Sequence, residues 1–193
     1  MKKHTLLVTS LAAAVLAIAA PARADFYQFT FGGEIHTVDG FVPEPWETVH
    51  VGSEFEYTYI FDSEAEDHFG TPQVGLYDLM WAQVMMEGVS QATEKGVIFV
   101  INKGLDEYIA YFEDLPIGAS GNVGLTGDDD VIDSDDLLLD INLDDWVHGR
   151  HFEVIGLDFA IGGHVASFSA QIVPHPGAIS LLIYALLRGK RRR

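Results

Sequence analysis

The sequence predicts an all-β protein, an antiparallel β-sandwich or jelly roll in a single domain, and three observations carry that expectation. Apolar residues recur with a period of two: Tyr27, Phe29 and Phe31 alternate with Gln28 and Thr30, and Phe55, Tyr57, Tyr59 and Phe61 alternate with Glu54, Glu56 and Thr58. Gly-rich or acidic turns separate most of the apolar stretches. Between the two ends of the chain, no long segment carries a helical apolar stripe flanked by capping residues. Short strands joined by turns are the pattern of sandwiches and jelly rolls.

In chain order, the first element is a leader. Lys2, Lys3 and His4 are a short positive region, residues 6–20 are almost wholly small or apolar, and Ala22, Arg23 and Ala24 give the small-x-small site that signal peptidase cuts before Asp25. The apolar run is shorter than the roughly 20 residues a spanning helix needs, and Pro21 follows it directly, so residues 1–24 read as a secretory signal and not an anchor. The clearest strands are residues 27–31 and 55–61. Further strands are expected at 75–85, 97–102, 108–112, 137–143, 152–161 and 165–173. Alternating aromatics usually face an interior, so both aromatic stripes are expected in the core. Residues 25–172 are of a size that one domain commonly has, and show no internal repeat.

Charge is distributed unevenly. All 29 acidic residues lie in this body, against Lys95, Lys103 and Arg150, which leaves it a formal charge of −26. Such a surface repels nucleic acid and anionic lipid and attracts cations, so no nucleic-acid partner is expected. The absence of cysteine removes disulfides, thiolate metal ligands and cysteine nucleophiles.

The densest acidic run is Gly127 to Asp136, with Asp128, Asp129, Asp130, Asp133 and Asp136 as candidate calcium ligands, followed by Asp140, Asp144 and Asp145. Carboxylates are the hard oxygen donors calcium prefers. Part of the run follows an EF-hand loop: with Asp136 at position twelve, Asp133 falls at nine, Ile132 at eight and Asp129 at five. Leu125 then falls at position one and Gly127 at three, where oxygen ligands are needed, and Asp130 takes the glycine position. The run therefore reads either as a looser calcium site or as a solvated acidic loop, and not as an EF-hand. His148 and His151 lack the glutamate of the helical zinc-protease pattern, and Gly149 opposes a helix there; His36, His50, His68 and His164 are isolated in sequence.

No nucleophile elbow, phosphate-binding loop or cofactor fingerprint is present. Glycoside hydrolysis needs only two well-placed carboxylates, and a pair such as Glu54 and Glu56 is indistinguishable in sequence from an exposed strand face. No catalytic residue is assigned.

The C-terminal residues 173–193 have the layout of an address. Val173, Pro174, His175 and Pro176 form a turn, residues 177–187 are an uncharged run of eleven, and Arg188, Lys190, Arg191, Arg192 and Arg193 form a basic end. An eleven-residue helix falls short of the bilayer, so insertion requires the basic side chains to snorkel and the bilayer to thin. The basic end also fits the positive-inside rule, placing the body across the membrane from the cytoplasm. This arrangement resembles the PEP-CTERM sorting signal, which exosortase-type membrane enzymes recognise on exported bacterial proteins. His175 stands where that family most often has Glu. The literal Val42-Pro43-Glu44-Pro45 string lacks a following apolar run and basic cluster, and reads as a loop punctuated by prolines.

The resemblance implies processing by signal peptidase and an exosortase-like enzyme, transit on the inner membrane through the tail, and a final place at the cell surface or outside the cell, near exopolysaccharide. The expected function is that of a noncatalytic surface or matrix protein. The alternative is a secreted carbohydrate-binding or carbohydrate-active protein on the same scaffold.

Overall fold

The computed structural model describes residues 25–173, so the leader residues 1–24, including Ala22 and Ala24, and the tail beyond Val173 lie outside the described residues. Ten strands follow in order: β1 (Phe26–Gly40), β2 (Glu54–Asp62), β3 (Val74–Asp78), β4 (Trp81–Met86), β5 (Val89–Thr93), β6 (Gly96–Lys103), β7 (Leu105–Phe112), β8 (Ser120–Gly127), β9 (Gly149–Ile155) and β10 (Phe159–Val173). The all-β expectation holds. All ten belong to one antiparallel sheet in the order β3-β6-β7-β8-β9-β10-β1-β2-β4-β5.

The sheet curls, so that the arm containing β2 and β4 faces the arm containing β7 to β9. The Tyr59 and Tyr108 hydroxyls hydrogen-bond across the interior. Tyr57 and Phe112 have ring centroids 5.2 Å apart. Phe55 and Phe152 stack with centroids 4.0 Å apart and planes 10° from parallel. The aromatic stripes are thus core at Phe29, Phe31, Phe55, Tyr57, Tyr59 and Phe61, whereas Tyr27 is only partly buried and packs against them. Burial raises the Tyr57, Tyr59 and Tyr108 pKa values well above the ordinary phenol range, so the three stay neutral.

The expected strand at 75–85 is two strands with different neighbours. Leu79 N donates to Gly96 O on the β6 side, while Met80 N donates to Ile60 O on the β2 side. The chain there steps from the edge strand at one end of the sheet to the second strand from the other end and stitches the two arms. The expected strand at 152–161 is also divided, by the turn that joins β9 to β10. Residues 137–143 form no strand; they lie in the connection between β8 and β9, which pair directly with each other. Their apolar residues serve instead as a plug: Ile141 is buried, and Leu137 and Leu138 pack against the core. β5 follows a two-residue turn in which Glu87 and Gly88 both take positive φ, 51° and 75°, the geometry that matches strand twist in a tight hairpin.

β1 and β10 are the backbone of the molecule. Their pairing runs from Phe26 with Val173 to Gly40 with Phe159, with register shifts at Gly32/Gly33 and Ile35/Thr37. Both ends of the described chain therefore lie side by side at one end of this pair. The first shift bends the sheet where the principal groove opens.

Candidate functional site

The larger concavity is a groove of about 900 Å³ on the outer face of β10, β1, β2 and β4. Its origin is local. Alternation turns Phe55 and Tyr57 inward and sends Glu54 and Glu56 outward. Register places Glu56 opposite Gly32, Glu54 opposite Glu34, and Gly32 opposite Ser167. Gly32 leaves the floor without an outward side chain and Gly33 adds bare backbone beside it, while Glu34, Glu54, Glu56 and Glu87 line the opening together with Ser53, Met85 and Ser167.

The end wall is fixed by backbone and hydroxyl bonds. Ile35 N donates to Ser53 O at 2.8 Å, and Gly52 N donates to Ile35 O at 2.8 Å. Ser53, only 2 % exposed, bonds His50 Nδ1 through its hydroxyl at 3.0 Å. Beyond the floor, the same face carries Thr30 and Thr58, whose hydroxyls bond at 3.1 Å, and Thr58 also donates to Glu56 Oε1 at 3.4 Å. Cross-strand pairing continues this polar surface from Gln83 through Thr58 and Thr30 to Ser169, and Trp81 stands beside Ile60 at its far corner. The result is a sheet face of hydroxyls, amides and carboxylates around a side-chain-free trough.

The acidic run takes a different form from a packed cation cage. A second concavity, of about 460 Å³, is lined by Asp128, Asp130, Asp144 and Asp145 with Val131 and Val147. Asp129, Asp133 and Asp136 are exposed and do not line it. Asp128 Oδ1 is 2.7 Å from His148 Nε2, and Asp136 accepts from the Ser134 hydroxyl at 2.9 Å. Among the described residues, no group of three or more His, Asp or Glu side chains could, as placed, hold a metal ion. The run is anchored by a residue that sequence reasoning missed: Asp106, fully buried, accepts a 2.7 Å bond from Ile132 N. Its signal was faint, a lone acid at an inward position of β7, one step before Tyr108 in the alternation.

Val173 of the expected sorting motif ends β10 opposite Phe26, and Asp25 of the expected cleavage site immediately precedes β1. Pro174, His175, Pro176, Arg188, Arg191, Arg192 and Arg193 lie outside the described residues. Among the described residues, no helix is long and apolar enough to cross a membrane. Glu44 and Pro45, inside the internal Val-Pro-Glu-Pro string, sit in the loop between β1 and β2 and are joined by a cis peptide bond. No family model matches the chain, and no curated protein or solved structure is measurably similar to it.

Proposed function

We propose that this is an exported, noncatalytic surface or matrix protein, sorted by its C-terminal tail and associated with extracellular polysaccharide through the outer face of its sheet. The observation that carries the polysaccharide part is the groove: a trough floored by Gly32 and Gly33, bordered by Ser167, Glu54 and Glu56, and continued by the Thr30 and Thr58 hydroxyls. A polyhydroxylated chain lying across such a face exchanges water for side-chain hydroxyl and carboxylate partners, and no side chain stands in its path. Hydrogen bonds to charged groups contribute about 1.5–3 kcal/mol each, so a few suffice to hold a repeating ligand.

The sorting part rests on the ordered tail of turn, apolar run and arginines, residues 173–193. The pairing of Phe26 with Val173 suits it, since the tether leaves from one end of the β1–β10 pair and the groove sits along its flank. The experiment is intact mass measurement on the protein recovered from its native cell. A chain beginning at Asp25 and ending near Pro176 supports both processing steps. Retention of Arg193 argues for a simple tail anchor, and retention of Met1 overturns export.

The second reading, a carbohydrate-active enzyme, is favoured by one observation: Glu54 and Glu56 face the same groove.

A further inference from the structure

We propose that His36, His164 and His151 form a surface site for a divalent transition metal ion of the imidazole-preferring class, with zinc as its representative. The inference is independent of the polysaccharide reading.

Six histidines lie among the described residues, and they divide cleanly. His50 bonds Ser53, His68 bonds Asp78, and His148 bonds Asp128. The other three take no hydrogen bond or ion pair from the described residues, and these three come from adjacent strands. His164 of β10 is the direct cross-strand partner of His151 of β9. His36 of β1 sits at the second register shift, with its ring 6.1 Å from that of His164 and the planes 10° from parallel. Three residues scattered over more than 120 positions of sequence thus become a row with His164 at its centre.

Directly paired residues on antiparallel strands hold their Cβ atoms about 4.5–5.5 Å apart on one face of the sheet. From that separation two imidazoles can reach one ion, since zinc binds a ring nitrogen at about 2.0–2.1 Å. As they stand the three rings do not form a set that could hold an ion, so the site requires them to turn; all three side chains are exposed, and exposed rings change rotamer within picoseconds to nanoseconds. The His151 ring now lies over Gly124 of β8, where an added Cβ would come within 2.1 Å of Cε1. That resting place exists because residue 124 is glycine, and swinging off it brings the ring toward His164.

The first carboxylate available to complete the shell is Glu34, the cross-strand partner of His164 on the β1 side. Imidazole with carboxylate suits zinc, nickel or copper, whereas calcium and magnesium prefer oxygen alone. The excess of acidic residues raises the local cation concentration around the row.

The test is zinc titration calorimetry on the purified, metal-stripped protein, with calcium titrated in parallel. The row predicts a zinc site that His164→Ala weakens tenfold or more and that His36→Ala and His151→Ala each weaken. It also predicts that excess calcium fails to displace the zinc, and that His68→Ala, His148→Ala and His175→Ala leave the affinity unchanged. The targets are surface residues, so circular dichroism should show each variant folded. Absence of zinc binding overturns the proposal. So does full affinity in His164→Ala, loss of the site in His148→Ala, or displacement of zinc by calcium.

Discussion

Truncation of Phe152 to Ala is expected to destabilise the protein by about 3–5 kcal/mol, the usual loss when a large buried aromatic leaves a cavity. Phe152 is 1 % exposed and stacks on Phe55 from the opposite arm at 4.0 Å. Phe55 in turn borders the groove, so one ring pair clamps the curl and supports the site. Typical domains are stable by only about 5–15 kcal/mol, and the variant should unfold at a far lower urea midpoint. Phe152→Leu keeps most of the volume and should lose less. A Phe152→Ala midpoint equal to that of the parent would show that the arms are not held together there.

Replacing Gly33 by Ala is expected to cost more than the about 1–3 kcal/mol typical of overpacking, because the obstacle is backbone. A Cβ at Gly33 falls 1.9 Å from His164 O and 2.8 Å from the Phe55 ring. Relief requires separating β1 from β10 at the register shift. Gly32 supplies the contrast: its Cβ meets only the Ser167 hydroxyl closely, at 2.7 Å, and that side chain can turn away. Gly32→Ala should therefore leave the urea midpoint nearly unchanged while narrowing the groove floor. Equal midpoints for Gly32→Ala and Gly33→Ala would contradict this account of the bend.

Much of the fold was legible because burial on one face writes itself as alternation. Phe29, Phe31 and the stripe from Phe55 to Phe61 are core as expected, since each alternate position enters one interior, while Tyr27 is only partly buried and packs against it. What failed were features set by neighbours. Leu137, Leu138 and Ile141 are as apolar as a strand, yet they lie in the connection between β8 and β9 and pack on the core instead of pairing. β8 was invisible for the opposite reason: Gly121, Gly124 and Gly127 carry no side chains to alternate, and their value lies in what rests on them, as the His151 ring rests on Gly124. The step at Leu79 and Met80 has no local signature, since both halves look extended and only their partners differ.

The site was legible in part. Glu54 and Glu56 could be read as a strand face, but their meeting with Glu34, Gly32 and Ser167 depends on cross-strand register that sequence alone does not fix. The histidine row is of the same kind: His36, His151 and His164 are isolated along the chain and adjacent across it. The acidic run shows the limit of composition, since of the five candidate ligands only Asp128 and Asp130 line the concavity beside Asp144 and Asp145.

The central claim is that the groove holds polysaccharide without cleaving it. The direct measurement is retention of the purified protein on immobilised polysaccharides, including those of its native cell surface, with released reducing ends assayed in parallel. The account predicts retention on at least one polysaccharide, weakened about tenfold or more by Glu56→Ala, and no reducing ends above background; one lost charge-assisted bond corresponds to a change of that size. Release of reducing ends that Glu54→Gln or Glu56→Gln abolishes, or absence of retention on every polysaccharide tried, would contradict it.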